Sequence, residues 1–77
     1  MITLTPREII KITKNNLDHS TTIYGAEGLK YWILFNKYDN HAWVEQACCH
    51  KALHKMVKSG YLIKVKKGEF TKNPLYD

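Results

Sequence analysis

The sequence predicts a small α+β domain, with three to four helices followed by a C-terminal β-hairpin, on three observations. A proline-initiated helix signal opens the chain. Two apolar stretches of helical period occupy its middle. A lysine-rich run alternating with apolar residues closes it around Lys67-Gly68. At 77 residues there is room for one domain, near the size at which a single hydrophobic core only just suffices.

Each element has its own signal. In Thr5-Pro6-Arg7-Glu8 threonine can cap a helix, proline suits the first helical position, and glutamate can reach back from the third. Ile9, Ile10 and Ile12, with Leu17 beyond, give an apolar face to a helix at about 6–16. Polar residues follow, among which Thr21-Thr22-Ile23-Tyr24 is β-prone and suits a short strand that pairs with the hairpin. Asp18-His19-Ser20 has the residue types of a catalytic triad, but sequence neighbours cannot adopt its geometry, so it reads as a turn. Gly25-Ala26-Glu27-Gly28 has the glycine spacing of a nucleotide-clamping GxxG loop but no basic residue between the glycines. Leu29 to Tyr38 is the most apolar segment and predicts a buried helix at about 26–38, with Tyr31, Trp32 and Phe35 in the core and Asp39-Asn40 ending it.

The stretch 41–59 poses a geometric conflict. As one straight helix it would place Trp43, Val44, Ala47 and Cys48 on one side. Cys49, Ala52, Leu53, Met56 and Val57 would lie nearly opposite at 100° per residue. Either the helix is sandwiched between two elements or the chain turns near Ala47 to Cys49. A turn predicts a short helix at about 41–47 and a second at about 49–59. On the second helix His50, Lys51, His54, Lys55 and Lys58 form the stripe opposite the apolar one, without an acid. Ser59-Gly60 stops it, glycine accepting the left-handed position after a helix end. Strands at about 61–66 and 69–73 follow, joined by Lys67-Gly68. They would pair Lys66 with Glu69 and Val65 with Phe70, although Lys-Gly is a weaker turn signal than Asn-Gly and a register one residue away stays open. Pro74 closes the second strand.

Helix, glycine, strand, basic turn and strand in this order resemble the recognition helix and wing of winged helix-turn-helix DNA-binding domains. The resemblance covers about residues 26–74. Ala47, Leu53, Met56, Gly60 and Leu62 match its packing positions, while Cys48-Cys49 stand where a glycine usually makes the turn. It implies a small transcriptional regulator that docks the helix in the major groove of duplex DNA and sets the hairpin on neighbouring phosphates.

Charge agrees with that expectation. Residues 1–49 carry five basic and five acidic side chains, whereas residues 50–77 carry seven lysines against Glu69 and Asp77, which is the whole net charge of +5. The candidate nucleic-acid-binding residues are His50, Lys51, His54, Lys55 and Lys58 of the helix with Lys64, Lys66 and Lys67 of the hairpin. Lysines act as point charges that position a duplex more than they read it. A homodimer, formed through the N-terminal helix, would add specificity by reading two half-sites. The alternative is a basic interaction module or inhibitor that binds an acidic surface on a nucleic-acid-handling protein. RNA is disfavoured because no exposed aromatic motif like that of an RRM is visible.

Other chemistry finds little support. Cys48, Cys49, His50 and His54 lack the spacing of a zinc site, and nothing supplies a pocket or oxyanion hole for a Cys-His nucleophile. Phosphate-loop and dinucleotide fingerprints are absent. The expectation is a non-enzyme without metal or cofactor. The start lacks the basic and apolar regions of a secretion signal, no apolar run approaches a membrane span, and two adjacent cysteines make no disulfide framework. The chain therefore reads as cytoplasmic and reduced.

Overall fold

The computed structural model describes residues 2–36 and 42–76. In chain order these form β1 (Ile2–Thr3), α1 (Pro6–Asn16), β2 (Thr22–Ile23), α2 (Gly25–Phe35), β3 (Ala42–Trp43), α3 (Gln46–Ser59), β4 (Leu62–Lys66) and β5 (Glu69–Lys72). The architecture is α+β, with three helices and a three-stranded antiparallel sheet ordered β2-β5-β4. A parallel pair of two-residue strands, β1 and β3, ties the N-terminus to the segment ahead of α3.

α1 begins where the capping box requires. The Glu8 amide donates to Thr5 Oγ1 at 3.2 Å, and the Thr5 amide donates to Glu8 Oε1 at 3.0 Å. Ile9, Thr13 and Leu17, four residues apart, turn inward. Thr13 is buried without penalty because its hydroxyl donates to the Ile9 carbonyl at 2.8 Å. Asp18 ties the next turn by accepting from the Ser20 amide and the Ser20 and Thr21 hydroxyls. Those bonds, from Thr21 first and then Ser20, hold its carboxyl below the usual value. The triad-like string is a turn held by its aspartate.

α2 contributes Leu29 and Ile33 to the core, both at most 1% exposed. The expected aromatic core is corrected here: Tyr31 and Phe35 are 58% and 87% exposed, and Trp32 is half-buried. Branched aliphatic side chains already fill the space beneath this helix. The GxxG string is its first turn, with Gly25 in the left-handed region at φ 73°. Residues 37 and 38 of the expected helix, and Asp39-Asn40, lie outside the described residues.

The expected break at 47–49 does not occur. α3 runs unbroken from Gln46 to Ser59, and the preceding residues are extended: Ala42–Trp43 is a strand and Glu45 has φ −90°, ψ 138°. Trp43 and Val44 never share a helical phase with Cys49, so the apparent conflict of two opposed apolar faces dissolves. Val44 enters the core by strand alternation, while Trp43 is 39% exposed beside Lys30. α3 packs against both α1 and α2 through Cys49, Ala52, Leu53 and Met56. It ends at Gly60, whose φ of 88° lets its amide and that of Tyr61 donate back to Val57 and Met56.

β4 leaves the core almost at once: Leu62 is buried and residues 63–66 are exposed. The register pairs Lys66 with Glu69 as expected, but Phe70 faces Lys64, not Val65. Val65 is the extra residue of a bulge between Lys64 and Lys66. Ile63 and Val65 consequently present 37% and 51% of their surface, and the hairpin projects from a body too small to cover it. β2 adds to the other edge of β5, pairing Thr22 with Thr71 and Ile23 with Phe70.

Candidate nucleic-acid interface

α3 divides its circumference by chemistry. Its apolar stripe is in the core, and His50, Lys51, His54, Lys55 and Lys58 are all exposed on the other side. The 3.6-residue period produces this division, with the glycine stop bringing the chain back alongside the helix as β4. Lys64 and Phe70, cross-strand partners on one face of the hairpin, meet His50, Leu53, His54 and Val57 across a groove of about 220 Å³. The groove floor is largely apolar and its rim carries the histidines and Lys64.

Lys66 and Lys67 lie at the exposed hairpin tip, where Lys67-Gly68 makes the turn and Gly68 takes φ 78°. Lys66 stands opposite Glu69, which partly offsets its charge. Of the eight residues expected at this face, His50, His54 and Lys64 line the groove. Lys51 and Lys55 continue the helix surface beside it, bordering a shallow hollow with the same two histidines. Lys58 lies at the C-terminal end of α3 and Lys66 and Lys67 at the hairpin tip, apart from the groove.

Beginning α3 at Gln46 brings in residues that sequence reasoning left out. A hollow of about 520 Å³ is lined by Ala26 in the first turn of α2, Gln46 and Ala47 in the first turn of α3, and His50 and Lys51. Neither helix has a side-chain cap on its N-terminal amides. Lys51 is the cation of this hollow, while Glu27 in the first turn of α2 and Glu45 at the N-cap of α3 set carboxylates at the two helix starts. Gln46, exposed at the leading end of α3, carries an amide that can bond a base edge. Its signal was present in the sequence but was hidden by starting the helix three residues too late.

Searches of protein-family models, curated proteins and solved structures find no match to this chain.

The cysteines stand apart from that surface chemistry. Cys49 is fully buried, and burial first, then the neighbouring Cys48, pushes its thiol up to about 11 against an opposing pull from Lys30. A buried protonated thiol is a small apolar group and a poor nucleophile. Among the described residues no three His, Cys, Asp or Glu side chains gather as metal ligands do.

Where α3 ends, a second cluster of cations and rings holds Tyr76. Tyr76 stacks edge-on against Tyr61 at 5.1 Å, Lys14 lies 5.5 and 5.4 Å from the two ring centres, and Lys72 lies over Tyr61. The Tyr61 hydroxyl donates to the Thr13 carbonyl at 3.4 Å, and Asn73 Nδ2 donates to the Gly60 carbonyl at 2.9 Å. Lys14 and Lys72 are engaged in this packing, which separates them from the free lysines of α3 and the hairpin. Among the described residues no helix is long and apolar enough to cross a membrane.

Proposed function

We propose that this chain is a winged helix-turn-helix DNA-binding protein of the cytoplasm and acts as a small transcriptional regulator. The observation that carries the reading is the juxtaposition of an exposed face on α3 rich in lysine and histidine and without an acid with Lys64, Lys66 and Lys67 of the adjacent hairpin. The element order after β1 is compatible with it: helix, short strand, helix, short strand, helix and hairpin, with the first of these short strands on the hairpin's outer edge. The helical part of the motif would be α2 and α3, joined through residues 36–45, in place of two pieces within 41–59.

In this reading α3 enters the major groove with its N-terminal turn leading, as recognition helices do. Gln46 and His50 are then the side chains closest to base edges, with glutamine matched to adenine. Lys51, Lys55 and Lys58 meet flanking phosphates. The hairpin lysines reach the backbone next to the groove. Regulation in this reading is by occupancy of the site.

The test is fluorescence anisotropy with a labelled random duplex of about 20 base pairs at low salt. Wild type should bind, and Lys55→Glu with Lys66→Glu should weaken binding by roughly tenfold or more while circular dichroism is unchanged. Absence of duplex binding by the folded wild type would overturn the reading. The second reading, a basic module on an acidic protein surface, is favoured by the apolar floor of the α3–hairpin groove, which a duplex backbone does not need. It predicts weak duplex binding from the start.

A further inference from the structure

The groove between α3 and the hairpin has a wall that regular hairpin pairing would not give it. With Lys66 opposite Glu69, an unbroken register would set Val65 opposite Phe70, on the same face of the sheet. The bulge sets Lys64 there instead, so a cation stands beside Phe70 in place of another apolar side chain. Bulges re-aim side chains in this way next to functional sites. His50 and His54, one turn apart on α3, line the groove from the helix side. Among the described residues, none of these three makes a hydrogen bond or an ion pair, and no acid lines the groove. Leu53, Val57 and Phe70 supply the apolar surface between them.

We propose that this groove binds a small organic acid with one ring-sized apolar body, whose carboxylate is held by Lys64 and the two histidines. Three features select that occupant. The first is size. The groove holds about 220 Å³, whereas a cavity of about 150 Å³ lined by leucine, isoleucine and phenylalanine already takes up benzene. There is room for one ring and a short acidic arm, and too little for a drug-sized molecule. The second is charge. An ammonium and two imidazoles, each with an N–H in either tautomer, offer charge-assisted hydrogen bonds to a carboxylate. The third is the pairing of that charge with the floor. An inorganic anion leaves Leu53, Val57 and Phe70 uncovered, and a neutral apolar molecule desolvates Lys64 without pairing it. A ring with a carboxylate satisfies both. A protein partner needs on the order of 1,200 Å² of contact, to which a groove the size of one ring adds little.

The proposal does not depend on DNA binding, and its main test contains no DNA. In the DNA reading the bound acid neutralises Lys64 and covers the histidines, so acid and duplex compete for one face.

The test is an NMR titration of the isotope-labelled full chain with phenylacetate. Amide signals of His50, His54, Val57, Lys64 and Phe70 should shift and saturate, with a Kd of roughly 0.1–5 mM for a ligand of about ten non-hydrogen atoms. Phenylacetamide, which lacks the charge, and acetate, which lacks the ring, should each bind about fivefold more weakly or worse. Lys64→Glu and His54→Glu should each weaken phenylacetate about fivefold or more with unchanged circular dichroism, because both side chains are exposed. Lys11→Glu on α1 should leave the Kd as it is. Excess phenylacetate should also lower duplex affinity, and a chain that binds no duplex leaves the titration standing. No saturable shift up to about 10 mM, phenylacetamide binding as well as phenylacetate, or indifference to Lys64→Glu would each overturn the proposal. So would binding confined to a blocked tripeptide of phenylalanine between two glutamates, which would assign the groove to a protein partner.

Discussion

α2 and α3 lie side by side, bury stripes of similar width, and present opposite chemistry to solvent. α3 shows lysines and histidines with no acid, while α2 shows the rings of Tyr31 and Phe35 with one glutamate, and Tyr24 stands exposed at its N-cap. Their inward faces do the same thing, so the core does not explain the difference. A helix needs a polar outer face for solubility, and α3 has one of a single sign. α2 departs from that need, and an exposed aromatic pair costs solubility unless something covers it. The comparison teaches that the core fixes only the inward stripe of a helix and leaves the chemistry of its outer face free to differ.

The largest effect that sharpens the contrast is internal to α2. Leu29→Ala should cost about 3 kcal/mol in urea unfolding, because Leu29 is fully buried and its loss leaves a cavity. Phe35→Ala, two turns away on the outer face, should change the unfolding midpoint of dilute protein by less than about 0.5 kcal/mol. Equal costs for the two would mean that Phe35 is covered by its own chain.

A second contrast sets α3 against α1, where the same charge change is made on different faces. Lys51→Glu with Lys55→Glu should reduce duplex affinity by roughly tenfold or more at low salt. Lys11→Glu with Arg7→Glu should reduce it only about twofold, through net charge alone. Similar losses would show that binding follows total charge and not the α3 face.

Alkaline pH probes where the two helices meet the core. Cys49 keeps its proton to about 11 in the fold, against 9.0 when free. Between those values the unfolded chain releases a proton that the fold retains, so stability is full below 9 and falls as pH rises toward 11. Urea midpoints measured at pH 8 and pH 10 should therefore separate more for wild type than for Cys49→Ala. Burial, and then the nearby Tyr76, raises Tyr61 in the same direction, so part of the slope should survive in the variant. The smallest effect is local: Thr5→Ala removes one half of the capping box and should cost about 1 kcal/mol.

Features set by local chemistry were legible in the sequence. The capping box of α1, the glycine stop of α3, its two stripes, the Lys67-Gly68 turn and the β2 edge strand each follow from neighbours within a few residues. Features set by competition for a small core were not. Trp43-Val44 sits next to a helix and was read in helical phase, whereas pairing with β1 holds it extended. Tyr31 and Phe35 were read as core because they are apolar and helically spaced. Leu29 and Ile33 exhaust the space below α2, and that is visible only in three dimensions. The bulge at Val65 likewise left no mark, since its extra residue is another alternating apolar one. The exposure of the five basic residues on α3 was legible from periodicity and that of Lys66 and Lys67 from the turn, while the place of Gln46, Ala26 and Phe70 beside them required the true start of α3 and the true register of the hairpin.

The central claim is that α3 and the hairpin present several cations to phosphates at once. Anisotropy of a duplex against salt concentration tests it most directly, because each neutralised phosphate adds about 0.9 to the log–log slope. The account predicts a slope of roughly −4 to −5, from four to six lysines of α3 and the hairpin. A slope near zero, or no binding at the lowest salt, would contradict it.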